Sequence, residues 1–450
     1  MSAAAYNVAV VGPISSVSVP GTTIIILNEA EACFDLLDKR SAIYSERPFF
    51  QFGGEMVGLS GTTTLLPCGP EFKIHRKEFH KYIGTAAAMK RFIELEEIET
   101  LRFLFRLLDE PAKLVEHIRT TAGAIILKIS HGYTVAPHGS DPFVDLADAV
   151  LEIFSASLVP GAWIVDILPP LRHLPDWLPG LGFKKTARKW NAATMDLINK
   201  PFEFVKHQMV SVPHKATCLI RIHNFTIDNA ISQKLGSETP SFASSLIERN
   251  VSNEYNMKWM SATMYGGGAD TTVSAVTTFF LAMIRFPAVL KKAQAEVDRV
   301  IGRARLPSYA DRERLPQMSH DPAIYHDPFT FKPERFLGEN PEPDPRNLAF
   351  GFGRRCFIFI FGICPGKELA DSSLFLSVAM VVAAFYITHA KDSSGRSIEA
   401  ADEYSPGIIS HPRPFDYSIK PRDEKAVSLI RAILDDHPFD SGDAGVLSSL

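Results

Sequence analysis

Two neighbouring segments carry the reading, Phe350-Gly351-Phe352-Gly353-Arg354-Arg355 and Ile363-Cys364-Pro365-Gly366-Lys367-Glu368-Leu369-Ala370. A glycine-rich turn and two arginines lead to a cysteine that opens an apolar helix. A thiolate at a helix N-terminus is stabilised by the helix dipole and by backbone N–H groups. Such a thiolate can bind haem iron axially and push electron density toward O–O cleavage. Glycines let backbone lie against a flat macrocycle where a Cβ would clash. Arginines suit its carboxylates.

Working outward, the second motif lies upstream. Gly266-Gly267-Gly268-Ala269-Asp270-Thr271-Thr272 interrupts a long apolar helix over Ser261 to Arg285 that ends before Pro287. Each glycine costs a helix interior roughly 1 kcal/mol against alanine, so three in a row need a reason. Taken alone, the run also fits an ordinary core helix with a chance Asp-Thr pair.

Together these motifs resemble the cytochrome P450 family, most closely its fungal haem-thiolate monooxygenases. In that family the two halves of the cysteine loop are contiguous. Here Cys356-Phe357-Ile358-Phe359-Ile360-Phe361-Gly362 separates them, and Phe357 stands where the cysteine belongs. The resemblance implies Cys364 as the iron ligand, with Phe350, Gly353, Arg354, Arg355 and Gly366 forming the haem loop. It implies that Gly268 lies at a local opening of the long helix, and that Asp270 and Thr271 relay protons to dioxygen. Farther upstream the family has Trp-x-x-x-Arg, both side chains reaching a haem propionate. This chain has Phe72-x-x-x-Arg76, keeping the arginine and losing the indole donor. Lys73, His75, Arg76, Lys77 and Lys81 otherwise read as a solvated basic helix face.

The rest follows the family's order. Ile14 to Leu27 reads as two strands around Pro20-Gly21, with Asn28 as N-cap of a helix over Glu29 to Lys39. Helices are expected over Phe72–Ile83, Glu94–Leu108, Pro111–Ile129, Pro142–Phe154 (capped by Asp141), Ala187–Gln208, Ala288–Val300 and Lys367–Thr388. The last should pack against the long glycine-rich helix. A proline-punctuated aromatic stretch with Trp163, Trp177 and Phe183 fits a lid over an apolar substrate and ordinary core packing equally well. Pro406–Ser410 and Phe415–Ile419 read as a closing hairpin, and the tail from Arg422 to Leu450 as polar and partly loose.

Three blocks depart from the family pattern: the insert within the cysteine loop, an added segment at 210–238, and a missing Glu-x-x-Arg helix with its following strands. The meander Phe331-Lys332-Pro333-Glu334-Arg335-Phe336 is present, but its Arg335 lacks that helix's partners. Glu99-x-x-Arg102 and Glu116-x-x-Arg119 share the spelling at ordinary helical charge spacing. Clean blocks between intact segments suggest altered splicing or gene prediction rather than gradual drift. Transcript reads joining Arg355 directly to Ile363 would bear this out.

Bulk properties bound the alternatives. The chain has 450 residues, 46% apolar and 22% charged, with net charge −4, as suits a globular protein with a sizeable core. No basic stripe points to nucleic acid. Five scattered cysteines show no metal-finger spacing and read as reduced thiols. No run of about 20 apolar residues reads as a membrane span, and residues 1–11 read as neither signal nor anchor.

The expected architecture is mainly α with small β-sheets (α+β), an incomplete cytochrome P450 fold in a single domain over 1–450. Its parts are a sheet-rich 14–65, a helical 72–300, a meander, haem loop and helix over 320–390, and a hairpin at 402–422. The resemblance implies haem-dependent insertion of one oxygen atom from O2 into an apolar small molecule, with electrons from an NADPH-dependent reductase. The alternative is an inactive or misfolded remnant of that family. The resemblance places the chain at the endoplasmic reticulum surface with at most peripheral membrane contact. The lack of an anchor leaves the cytoplasm as the other location.

Overall fold

The computed structural model describes residues 12–19, 22–211, 240–315, 344, 349–351, 364–405 and 407–449. Its elements run β1 (Ile14–Val19), β2 (Thr22–Leu27), α1 (Pro70–Ile83), α2 (Ile93–Asp109), α3 (Leu114–His131), α4 (Pro142–Ser157) and α5 (Gly182–Ser211). There follow α6 (Phe242–Glu248), α7 (Glu254–Arg285), α8 (Pro287–Val300), α9 (Lys367–Ala384), β3 (Phe385–His389), β4 (Tyr417–Pro421) and α10 (Glu424–Asp436). The fold is thus mainly helical, with two small two-stranded sheets, in agreement with the class read from sequence. The chain groups into two units. One holds Met1–Pro48, Pro67–Ile118 and Thr271–His437, and the other Phe49–Leu66, Arg119–Asp270 and Pro438–Leu450.

In the first unit β1 and β2 form the expected antiparallel hairpin, with Val17 opposite Ile24. Asn28 does not cap the next helix. Its amide donates to the Gly12 carbonyl (2.7 Å) and the Ser15 hydroxyl (3.3 Å), closing the hairpin base, and Glu29 takes the cap position of a short helix, Ala30–Cys33. Helix α1 buries Phe72, His75, Phe79 and Ile83 at spacings of three and four. Its basic face is therefore not wholly solvated, since His75 is fully buried.

Helix α9 packs chiefly on α2 and α8, so the expected neighbour α7 is not among its main partners. It also stops earlier than expected. Phe385-Tyr386-Ile387-Thr388 leaves the helix and pairs with β4, Ile387 opposite Ile419. Aromatic and β-branched residues favour that extended form. This pairing takes the strand expected to form a hairpin with 406–410, and residues 403–405 instead pair antiparallel with 411–413 about a bridge between Tyr404 and Pro412. Beyond β4 the first part of the tail is a helix. Asp423 caps α10 through Ala426 N (2.8 Å), and Ala426, Ile430 and Ile433 are buried.

An ion-pair strap closes this end of the unit. The Arg422 guanidinium holds both oxygens of Asp298 on α8 at 2.9 and 2.6 Å, and Arg303 pairs with Asp423 at 2.5 Å. Bidentate geometry of this kind gives the stronger class of ion pair.

The second unit is built on aromatic packing and one capping aspartate. The Phe52 ring stacks on Trp163, centroids 3.7 Å apart, in a cluster with Val57, Leu59, Val165, Leu181 and Phe183. Part of the proline-punctuated stretch is therefore core, while Trp177 stays 78% exposed. Asp141 caps α4 as expected, accepting from Phe143 N at 2.9 Å, and also accepts from Tyr133 Oη and Ala136 N at 3.0 Å each.

Helix α7 runs unbroken through its three glycines, with no local opening. A Cβ at Gly268 would stand 2.7 Å from Ile126 of α3, so helix packing alone requires the missing side chain there. The segment at 212–239, the meander with Arg335, and Gly353, Arg354, Arg355 and Cys356 lie outside the described residues. By length and composition α7 is long and apolar enough to cross a membrane, contrary to the expectation that no run qualifies. It is also a packed helix, with Trp259, Met260 and Tyr265 buried along it.

Replacing Asp141 with alanine removes four hydrogen bonds to a buried carboxylate and strands their donors. The expected loss is about 3 kcal/mol, read as a lowered urea midpoint for the variant at neutral pH.

Candidate functional site

Cys364 sits immediately before α9. Its N–H donates to the Phe350 carbonyl at 3.1 Å, and its own carbonyl accepts from Lys367 N at 3.0 Å. The first bond joins the two halves of the loop directly, Phe350 to Cys364. Gly351 follows Phe350 at φ +86°, a left-handed conformation that favours glycine. Lys367 Nζ stands 5.8 Å from the Phe350 ring centroid.

The sulfur lies at the N-terminal end of α9. Gly366 is the cap residue, and its backbone N–H hydrogen-bonds the sulfur and draws the thiol pKa down. The Arg76 guanidinium, carried by α1, acts in the same direction. Burial outweighs both and leaves the thiol above its ordinary range, although the residue still has a face open to solvent. The described residues crowd the sulfur while the residue as a whole keeps exposed surface.

A metal bound at the sulfur would deprotonate the thiol outright, as coordination does generally. A haem iron needs only one such protein ligand. Among the described residues no group of three or more His, Cys, Asp or Glu side chains is placed to hold a metal ion. The donor set here is one thiol at a helix N-terminus beside one guanidinium, which fits a haem with an axial sulfur and an anionic edge. Of the residues expected to hold haem, Phe350, Cys364 and Gly366 are brought together, with Arg76 beside them.

Asp270 and Thr271 lie on α7, half-buried and exposed respectively, at the point where the helix passes between units. Asp270 has a neighbour that sequence reading missed. Asp148 on α4 pairs with Arg119 Nε on α3 at 3.3 Å. Burial pushes its carboxyl up to about 6, the Asp270 charge adds to the rise, and Arg119 opposes it. Nothing in Asp148's local pattern marks it, because its partners come from other helices. Arg119 thus answers Asp148 rather than Glu116. Glu99 and Arg102 do pair within α2, at 2.7 Å, but as a buried ion pair rather than a surface one.

The cytochrome P450 family model matches residues 3–319 and 315–419. Cytochrome P450 monooxygenase claR of Ampulloclitocybe clavipes is 40% identical, over 96% of this chain and 85% of its own length. O-methylsterigmatocystin oxidoreductase of Aspergillus flavus is 33% identical, over 97% and 86%. A zebra fish cytochrome P450 solved with progesterone superposes with a TM-score of 0.64 at 17% identity, over 91% of this chain and 96% of that one. The fold and the family match thus define a class of haem enzyme.

The chain belongs to the cytochrome P450 family. Haem is that family's cofactor, and the two fungal relatives are by name a monooxygenase and an oxidoreductase, which favours the enzymatic reading and lends no support to the remnant. The two matched segments meet at 315–319, where the Glu-x-x-Arg helix was expected. The first alignment runs over 486 positions, more than the 450 residues of the chain, so that relative carries residues this chain lacks.

Arg76→Leu removes a charge that, among the described residues, lowers the Cys364 thiol pKa. In haem-free protein the alkylation of Cys364 by iodoacetamide, followed on its peptide by mass spectrometry, is expected to show a midpoint at higher pH than wild type.

Proposed function

We propose that Cys364 is the axial haem ligand and that this chain inserts one oxygen atom from O2 into an apolar small molecule, drawing electrons from an NADPH-dependent reductase. The observation that carries this reading is the hydrogen bond from Cys364 N to the Phe350 carbonyl. It keeps the cysteine at the mouth of α9, with Arg76 beside it, despite the inserted residues. Both units are read as parts of one P450-type domain. When bound, haem supplies oxygen activation with the thiolate as electron donor.

The chain's own residues hold, orient and protonate. The Gly366 N–H and the α9 dipole stabilise the negative sulfur. Arg76 would pair with a haem carboxylate, and Arg354 and Arg355 are assigned the same role by resemblance, with Phe350 and Gly353 assigned to the loop in the same way. Gly268 is assigned to the haem side of α7 by resemblance alone, since Ile126 packs against it here. Asp270 and Thr271 form the acid–alcohol pair that passes protons inward.

A relative named for O-methylsterigmatocystin supports a small, largely apolar substrate. Val159, Ile164, Ile167, Leu168, Leu174 and Trp177 are exposed in one stretch of the second unit. They support peripheral contact with a membrane surface, that of the endoplasmic reticulum, with the cytoplasm as the alternative location.

The carbon monoxide difference spectrum of the reduced, haem-supplemented protein tests the reading. The expected result is a peak at the red-shifted position diagnostic of a thiolate ligand, abolished in Cys364→Ser. An unshifted peak in wild type means haem without a thiolate ligand and overturns the assignment of Cys364.

A further inference from the structure

Glu96 lies on the first turn of α2 and is fully buried, 0% exposed. Buried carboxylates ordinarily pair with a cation. This one is gripped by two hydroxyls of α9. Ser372 Oγ stands 2.7 and 2.8 Å from its two oxygens, and Ser373 Oγ donates to Oε1. The nearby cation is already engaged, because Arg312 pairs with Asp371, the residue before Ser372. Glu97 accepts from Tyr309 N at 2.7 Å. Arg91, just before α2, is turned to the Tyr82 carbonyl. From α10 the buried residues are apolar: Ala426, Ile430 and Ile433.

Both serines sit in the first two turns of α9, the helix that Cys364 opens. We propose that Glu96 is a positioning residue for the Cys364 sulfur, a buried catch that seats the start of α9 through Ser372 and Ser373. This rests on Cys364 as the haem ligand, as argued above.

The catch is sensitive to protonation. Ser372 Oγ also lies 3.0 Å from the Glu368 carbonyl and 3.1 Å from that of Leu369, yet a hydroxyl has one proton to give. With Glu96 ionised, Ser372 donates across to α2. With Glu96 protonated, the carboxyl itself can donate to Ser372 Oγ, and the serine returns its proton to its own helix. Burial raises the Glu96 carboxyl to about 7, with the two hydroxyls and Arg312 opposing and Glu97 adding.

The folded pKa is raised above the unfolded value of about 4.5. The seated state therefore binds the extra proton. Its advantage over a locally opened state is fully present below about pH 4.5 and is lost as pH rises toward 7. Opening becomes up to about tenfold easier per pH unit across that window and levels off above it. Protonation of a haem-bound thiolate would act the other way and favour haem loss at low pH, so the sign separates the two causes.

The experiment measures amide hydrogen exchange over residues 368–376 of the haem-free protein from pH 5 to 8, corrected for intrinsic rates. Haem transfer from the loaded protein to apomyoglobin is followed over the same range. In wild type both rates are expected to rise with pH to about 7 and then flatten, and in Glu96→Gln both are expected to be flat. Ser373→Ala, which keeps the carboxyl and removes one donor that lowers its pKa, moves the plateau to higher pH and serves if Glu96→Gln fails to fold. A purely structural role raises exchange uniformly without changing the slope, and that result overturns the proposal, as does a wild-type slope retained in Glu96→Gln. Exchange that follows Glu96 while haem transfer ignores pH overturns the positioning role. Exchange that follows Glu96 with no haem retained by any variant supports the catch and overturns the haem ligand instead.

Discussion

The backbone hydrogen bond between the Phe350 carbonyl and the Cys364 N–H is the constraint on which the site depends. It sets the cysteine by its neighbours in space rather than by its distance along the chain. The entropy of closing a loop grows slowly with length, roughly 0.6 kcal/mol per doubling. One backbone hydrogen bond contributes a similar amount. An excursion inserted between Phe350 and Cys364 therefore need not displace the sulfur, provided the ends are pinned. Arg76 and the first turn of α9 then still meet the cysteine.

Much of this was legible in the sequence where the controlling interaction is local. Asp141 before Pro142 announced a cap, and the structure supplies the cap bonds. Alternating valines and serines around Pro20-Gly21 announced a hairpin. The family motifs announced the fold because glycine, arginine and cysteine at those spacings serve few other ends. The errors arose where a distant partner decides. Phe385 to Thr388 continues a helical apolar pattern, and only β4 makes it a strand. The closing hairpin failed for the same reason, since its second strand had a better partner far upstream. Asn28 has every local property of a cap and is taken by Gly12 and Ser15 instead.

The site's hidden layer was illegible for a related reason. Asp148, Arg119 and Glu96 acquire their character from burial and from neighbours on other helices, and no spacing along one helix encodes that. The α2 helix carries Glu96, Glu99, Arg102 and Arg106, all buried. On a helical wheel they read as ordinary polar positions. Their desolvation is offset by pairing where it exists, as between Glu99 and Arg102, and by a shifted protonation state where it does not, as at Glu96.

The Arg422–Asp298 and Arg303–Asp423 strap bears on how such a chain can be cut and rejoined. Its four members lie on either side of the region at 315–319 where the two family-matched segments meet. They tie α8 to the last strand and the last helix without passing through that region. Covalent order and the network of contacts are thus partly independent here. A fold whose flanks are stitched to each other behaves like a garment with a reinforced seam: a panel can be removed from between the stitches and the edges still meet. Whole-block changes in a gene of this family would then be filtered less by where they fall in the message than by whether they sever such a stitch.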